Sequence, residues 1–327
     1  MARYHISTML PRNDTTIVAV CEPFAPTWET TAAAFTAAGR PIPPNEPDWQ
    51  RFLERYAGEL DAIQIVTPHA VHFAQATAAL EAGLDVYLEK PMVMTAAEAE
   101  ALIATRDRTG GLLVVGFQGS LSPRVRAAAR MIASGELGAM LNVDAVVWQD
   151  WAVNSLGTWR QDPALSGGGF LFDTGAHMLN TVCDLAGEDV AAVAAWLDAD
   201  GAPVDVRGVV MARMVSGALV TMNGCGRAIP SLGSDIRVFC EGATLRTGIW
   251  GEHLEIQRHG DDRPSRPRSV RSRTVWEQFL AVRAGREPNP SPPEVGLRMA
   301  RLWDAIRASS ERDGAVIRLT AGSEVAA

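Results

Sequence analysis

No run of about 18 apolar residues occurs in the chain, so no segment has the length and character of a membrane-spanning helix. The first residues, Met1-Ala2-Arg3-Tyr4-His5, lack the apolar core of a secretory signal. Only four cysteines occur in 327 residues: Cys21, Cys183, Cys225 and Cys240. None forms a CxxC pair and each sits among apolar neighbours, which predicts reduced, buried thiols and a cytoplasmic protein. Basic residues are outnumbered, 30 against 38 acidic, and the net charge of −8 argues against a nucleic-acid partner. The one basic cluster, Arg263, Arg266, Arg268, Arg271 and Arg273, is interleaved with Pro264 and Pro267 and has no aromatic residue to stack on a base. It reads as a solvated loop.

What remains is ordinary globular material, 47% hydrophobic and 21% charged. A chain of this length predicts two domains, each with its own core. The first third alternates short apolar runs with helical patterns, as a parallel α/β sheet does. Strands are predicted at 17–21, 62–66, 86–88 and 112–117, and helices at 28–38, 71–82 and after Thr95, where Glu98 occupies the capping-box position. Past Phe117 the strands are longer and alternate more clearly, at 142–148, 206–214, 218–223 and 235–240. A tight hairpin at Ser216-Gly217 predicts an antiparallel sheet there. One helix at 122–134 opens this half, and two more, at 274–284 and 294–310, close it. The boundary falls near residue 118, giving domains 1–118 and 119–327.

The segment Ser166-Gly167-Gly168-Gly169-Phe170-Leu171-Phe172-Asp173-Thr174-Gly175-Ala176-His177 carries the strongest chemical signal. If the residues after the glycines are helical, Asp173 and His177 share one face, a turn apart. A carboxylate beside an imidazole gives a base suited to neutral pH. In the first half, polar residues gather at the carboxyl ends of the strands, where parallel sheets bind ligands: Glu22, Thr67-Pro68-His69 with His72, Glu89-Lys90 and Gln118. An acid at Glu22 suits ribose hydroxyls and favours NAD over NADP. The GxGxxG or GxGxxA fingerprint that should precede it by about 20 residues is missing. Counting back reaches Ala2, which takes the last fingerprint position. The glycines and the first strand would then lie upstream of Met1, and the expectation is a Rossmann unit incomplete at its N-terminus. Without those backbone donors, NAD affinity is expected to be weak.

Leu88-Glu89-Lys90-Pro91 together with residues 167–177 resembles the Gfo/Idh/MocA oxidoreductase family, the glucose–fructose oxidoreductase and inositol dehydrogenase type. Val20-Cys21-Glu22-Pro23, Thr67-Pro68 with His72, Gly116-Phe117, Trp159-Arg160 and Asn289-Pro290-Ser291-Pro292 follow in that family's order. The resemblance implies a Rossmann domain, a C-terminal α+β domain with an open, mainly antiparallel sheet, and a homodimer or homotetramer. It implies hydride transfer between a nicotinamide cofactor and a sugar or cyclic polyol. Lys90, Asp173 and His177 become the catalytic set, with His177 as base, Asp173 orienting its ring and Lys90 bonding the substrate oxygen. Ala2, Glu22, Thr67, Pro68, His72, Glu89, Lys90, Gln118 and Arg160 become cofactor neighbours. Trp159 and Asn180 join Lys90, Asp173 and His177 around the substrate, with Trp151 as a further wall residue. His69 is expected to be a loop residue, and His5 to have no role. Asn180 stands where the family often has an acid, and Gln118-Gly119-Ser120 where Asn and Arg are more usual.

Two other readings use the same fold: a non-catalytic nucleotide sensor, and an NAD-dependent glycoside hydrolase that recycles its cofactor. The retained Lys90, Asp173 and His177 count against a sensor, which needs no proton-transfer set. Asp173 and His177 have no evident third partner for a metal.

Overall fold

In the computed structural model, residues 1–267 and 272–319 are described. The first half opens with helix α1 (Ala2–Met9), followed by α2 (Ala25–Ala37) and α3 (Trp49–Tyr56). Strand β1 (Ala62–Ile65), helix α4 (His72–Glu81), strand β2 (Asp85–Leu88), helix α5 (Ala96–Thr109) and strand β3 (Leu113–Val115) then alternate. The three strands pair in parallel in the order β1-β2-β3. The apolar runs of β2 and β3 are buried under helices, as a parallel sheet requires, whereas β1 at the edge buries only Ile65 fully.

The strand expected at 17–21 does not join this sheet. Its ladder is a single bridge, Val20 to Asn45, with Val20 N–H donating to the Pro44 carbonyl. A β-branched run becomes a strand only where a neighbour offers a matching edge, and β1 pairs with β2 alone among the described residues. Helix α3 was not expected. It starts where the Asp48 carboxylate accepts the Gln50 and Arg51 N–H groups. At α5 the Thr95 hydroxyl accepts the Glu98 N–H, while the Glu98 carboxylate takes the Met94 N–H, one residue earlier than a capping box places it.

Helices α6 (Gln118–Leu121) and α7 (Pro123–Ala133) lead into strand β4 (Met140–Trp148). Four further helices follow: α8 (Trp151–Asn154), α9 (Pro163–Ser166), α10 (Phe170–Asp173) and α11 (Gly175–Ala186). The remaining strands are β5 (Val190–Asp198), β6 (Arg207–Met214), β7 (Leu219–Cys225), β8 (Gly233–Cys240), β9 (Ala243–Thr247) and β10 (Leu254–Arg258). Helices α12 (Val275–Arg283) and α13 (Pro293–Ser310) precede a short strand β11 (Ile317–Arg318). The eight strands run in the order β10-β9-β8-β4-β7-β6-β5-β11. All neighbours are antiparallel except β4 and β7. The hairpin at Ser216-Gly217 joins β6 to β7 as expected, with Gly217 at φ 97°.

Alternation along β6 decides the sheet's two faces. Gly208, Val210, Ala212 and Met214 are buried, whereas Arg207, Val209, Met211 and Arg213 are exposed. The inner face packs on α11 and α13, and α13 also reaches α5 and β3. One helix thereby locks the second sheet to the first.

Cys183 and Cys240 are buried, but Cys21 and Cys225 are only half-buried, a partial correction to the expected four buried thiols. In the arginine-rich loop, Arg266 pairs with Glu255 and Arg273 with Glu287 at exposed positions; Arg268 and Arg271 lie outside the described residues.

Candidate active site

The glycine-rich segment aims one short helix. Gly167 ends α9 in the left-handed conformation, φ 70°. Gly169 lies so close to Asp205 that a Cβ would stand 1.8 Å from its carbonyl oxygen. That approach lets the half-buried Asp205 accept three N–H groups: Gly169 and Leu171 on its carboxylate at 2.7 and 3.1 Å, and Phe170 on its carbonyl at 2.7 Å. Burial raises the Asp205 pKa, and those backbone donors oppose the rise. Helix α10 is thus anchored at its start, with Asp173 as its last residue. Gly169→Ala is expected to cost about 3 kcal/mol or more, because backbone, not a flexible side chain, must move. Melting within about 2 °C of wild type would show that the loop yields instead.

Asp173 is the hub of the site. Lys90 Nζ, just past β2, donates to Asp173 Oδ1 at 2.8 Å and to the Asp173 carbonyl at 2.9 Å. Oδ2 accepts from Trp151 Nε1 at 2.9 Å and from Arg160 Nε at 3.1 Å. Burial alone would raise this carboxyl, but Lys90 and Arg160 hold it far below the usual carboxylate range. The guanidinium of Arg160 lies over the Trp159 ring, 4.4 Å from its centre.

His177 is buried between Phe117 and Trp250, with ring centres 6.4 and 5.8 Å away. Burial pushes its pKa well down, Lys90 pushes the same way and Asp173 opposes. The ring is neutral at physiological pH. Its Nδ1 has no hydrogen-bond partner. The expectation that Asp173 orients this ring is therefore corrected. The His177 N–H bonds to Thr174 O, three residues back, rather than to Asp173 O. The carbonyl a continuous α-helix would use is taken by Lys90, and the α-helical hydrogen bonding is interrupted at Thr174, between α10 and α11. Asp173 positions Lys90 instead.

Glu89 is 7% exposed and accepts from His5 Nε2 at 2.7 Å and Tyr87 OH at 3.4 Å, with the Lys90 N–H at 3.3 Å. Burial would raise it; His5 and Lys90 outweigh that and hold it below its ordinary value. His5, expected to be without a role, ties α1 to the end of β2. His5→Ala is expected to destabilise by about 3 kcal/mol, because it strips a buried carboxylate of its main partner. Urea unfolding checks this, and a loss under about 1 kcal/mol would contradict it.

The other expected cofactor neighbours sit along the same edge. Thr67 Oγ1 donates to Gln75 Oε1 at 2.7 Å, and Pro68 precedes the short helical turn His69–Val71. His72 is fully buried, with Nδ1 and Nε2 each 2.9 Å from a backbone carbonyl, of Pro91 and Thr67. It braces the loop from inside and has no nitrogen to spare for a ligand. Glu22 is half-buried, accepts the Phe24 N–H at 2.9 Å and is clasped by Asn45 through its backbone. Ala2 is exposed in the first turn of α1, and Gln118, half-buried, opens α6. Asn180 does not face this site. Its amide donates to Ser120 Oγ and Asp184 Oδ2, both at 2.9 Å, and accepts from Arg298 at 3.1 Å. The expected substrate role of Asn180 is therefore corrected: its side chain belongs to a polar cluster with Asp184, one turn on, which pairs with Arg298.

Residues 1–117 match the family described as "Oxidoreductase family, NAD-binding Rossmann fold", and residues 125–246 match the "GFO/IDH/MocA C-terminal domain". The chain belongs to the Gfo/Idh/MocA oxidoreductase family. Levoglucosan dehydrogenase of Pseudarthrobacter phenanthrenivorans is 29% identical over 143 residues, 43% of this chain and 36% of that protein. The D-xylose 1-dehydrogenase [NADP(+)] of Haloarcula marismortui is 34% identical over 152 residues, 46% of this chain and 39% of that one. The matched stretch thus spans well under half the length of these curated relatives. Among solved structures, an inositol dehydrogenase homolog complexed with NAD+ from Azotobacter vinelandii superposes with TM-score 0.82 at 21% identity, covering 96% of this chain and 93% of that one. At this identity it shares the fold.

Membership of the Gfo/Idh/MocA family raises the question of cofactor fit. The start of α1 has no side-chain cap and lies within electrostatic reach of Arg160, Glu89 and Lys90. Uncapped helix N–H groups beside cationic side chains suit a diphosphate. His69, expected to be a loop residue, is instead buried in a helical turn with Nε2 4.0 Å from Asp173 Oδ1, and Trp250, which sequence reasoning passed over, lies beside His177. Sequence reasoning also gave Trp151 too little, since that indole donates directly to Asp173.

Proposed function

We propose that this chain transfers a hydride between a nicotinamide cofactor, NAD rather than NADP, and a hydroxyl-bearing carbon of a sugar or cyclic polyol. The carrying observation is a lysine ammonium locked onto a buried aspartate beside a neutral, unpartnered histidine. The bound cofactor supplies the hydride acceptor at its nicotinamide ring. Neutral His177 takes the substrate hydroxyl proton as the carbonyl forms. Lys90, held by Asp173, hydrogen-bonds the same oxygen and stabilises the charge that develops there. Asp173 is a positioning residue whose carboxylate and carbonyl hold the Lys90 side chain in place.

Ala2, Glu22, Thr67, Pro68, Glu89, Gln118 and Arg160 frame the cofactor, with His72 supporting their loop from behind. Glu22 favours free ribose hydroxyls over a 2′-phosphate by charge repulsion. Trp159, stacked under Arg160, forms the substrate wall. The names of the relatives, dehydrogenases of levoglucosan and D-xylose, support the substrate class. The test is NADH formation at millimolar NAD with myo-inositol, levoglucosan and D-xylose, alongside calorimetric titration of NAD. Neither NADH nor NAD binding with any of them would remove this reading.

The functional division falls near residue 118, with every cofactor residue except Arg160 at or before it and most substrate residues after. The exposed face of the large sheet, carrying Trp148, Trp196, Val209, Met211, Leu219 and Phe239, is where two copies meet. Sedimentation should give a dimer or tetramer for wild type and a monomer for Met211→Asp; a monomeric wild type would refute the interface. Free thiols at all four cysteines support a reducing, cytoplasmic setting. Forced secretion into an oxidising compartment is expected to leave activity no higher.

A further inference from the structure

His69 opens the helical turn that follows β1 and is 3% exposed. Its ring is held edge-on by Trp159 at 4.7 Å, Phe172 at 5.6 Å and His72 at 5.7 Å. Nδ1 lies 2.7 Å from the Ser166 carbonyl oxygen. A carbonyl only accepts, so Nδ1 carries the hydrogen and Nε2 of the neutral ring carries a lone pair. Burial, opposed by Asp173 and assisted by Lys90, pushes the His69 pKa down to about 3 and keeps Nε2 unprotonated at working pH.

Nε2 stands 4.0 Å from Asp173 Oδ1, too far to bond. Two acceptors therefore face each other across a gap, and Lys90 Nζ already occupies Oδ1. A lone pair left facing a carboxylate in a buried site is unfavourable until a donor comes between them. Lys90 offers a hydrogen to the reacting oxygen; Nε2 lacks one and needs a hydroxyl. Two hydroxyls on neighbouring carbons meet both demands, the first accepting from Lys90 and the second donating to Nε2.

We propose that His69 is a specificity residue of the site, its Nε2 accepting a hydrogen bond from the hydroxyl vicinal to the reacting carbinol, so that the site selects vicinal diols. This rests on the hydride-transfer reading for its turnover arm, and a binding arm separates the two. The probes are trans-1,2-cyclohexanediol, whose hydroxyls are adjacent, and trans-1,3-cyclohexanediol, whose hydroxyls are not. Wild type is expected to favour the 1,2-isomer about tenfold in kcat/KM, the effect of one well-placed hydrogen bond. His69→Phe keeps the ring packing and removes both nitrogens; its preference should fall to within about twofold, through KM for the 1,2-isomer. His69→Gln restores an acceptor and should recover part of the preference.

The binding arm follows tryptophan fluorescence, since Trp159 touches the His69 ring. A binding preference for the 1,2-isomer that is lost in His69→Phe, without turnover of either diol, refutes hydride transfer and upholds the role of His69. Equal losses for both isomers in His69→Phe would make the residue a strut between the Ser166 carbonyl and β1, and overturn the proposal. No isomer preference in wild type, in either arm, overturns it as well.

Discussion

Replacing Lys90 by alanine is expected to lower kcat/KM about a thousandfold, and replacing His177 by alanine about as much. Lys90 supplies the donor facing the oxygen on which charge develops, and losing one such preorganised donor costs about 10²–10³ in rate. His177 supplies the base, a contribution of about 10²–10⁴. The two act on one oxygen, so the double variant should fall well short of the product of the single effects. Lys90→Arg keeps the charge but presents a planar fork in place of a point donor, and should recover little. The His177 variant should retain its fold, because a neutral ring whose Nδ1 bonds to nothing contributes packing and no polar pair. The measurement is steady-state NADH formation, with circular dichroism to establish folding. Rates within tenfold of wild type in both single variants would remove the assigned roles.

The catalytic candidates were legible because their signals are local. Lys90 follows a predicted strand directly, and Asp173 and His177 lie four residues apart behind a run of glycines whose compactness announces a close approach. The partner of those glycines was not legible: Asp205 lies 36 residues beyond Gly169, and only the fold brings its carboxylate to those N–H groups. His5 was hidden in the same way, since its pairing with Glu89 spans 84 residues.

The Asp173–His177 hydrogen bond was the opposite kind of error. Spacing allowed it, but spacing cannot see that Lys90 competes for both the carboxylate and the carbonyl of Asp173. Residues 17–21 show a limit of propensity reasoning, because strand membership depends on the neighbouring edge as much as on β-branched side chains. Helix α3 escaped notice although Trp49, Phe52, Leu53 and Tyr56 recur at helical spacing, because eight residues directly behind a proline-rich stretch are too short a window for the pattern to stand out.

Asp173→Asn should be the most destabilising single change at the site. The carboxylate is buried and neutralises Lys90, whose side chain is 12% exposed, and Arg160, which is 32% exposed. An amide of the same shape can still bond Trp151 but leaves two cations facing each other with no counter-charge. Breaking a buried ionic group in this way costs about 3–5 kcal/mol, and roughly 10 °C in melting temperature. The sign of the pH dependence follows from the depressed carboxyl. Its stabilisation is fully present above the unfolded-state value of about 3.9 and drains away as pH falls below that toward the depressed native value. The deficit of the variant relative to wild type should therefore stay constant from pH 7 down to about 4 and shrink at lower pH. Urea unfolding of both proteins across that range measures it. A deficit that is under about 1 kcal/mol at pH 7, or that does not shrink in acid, would mean that Asp173 is not the ionic centre of the site.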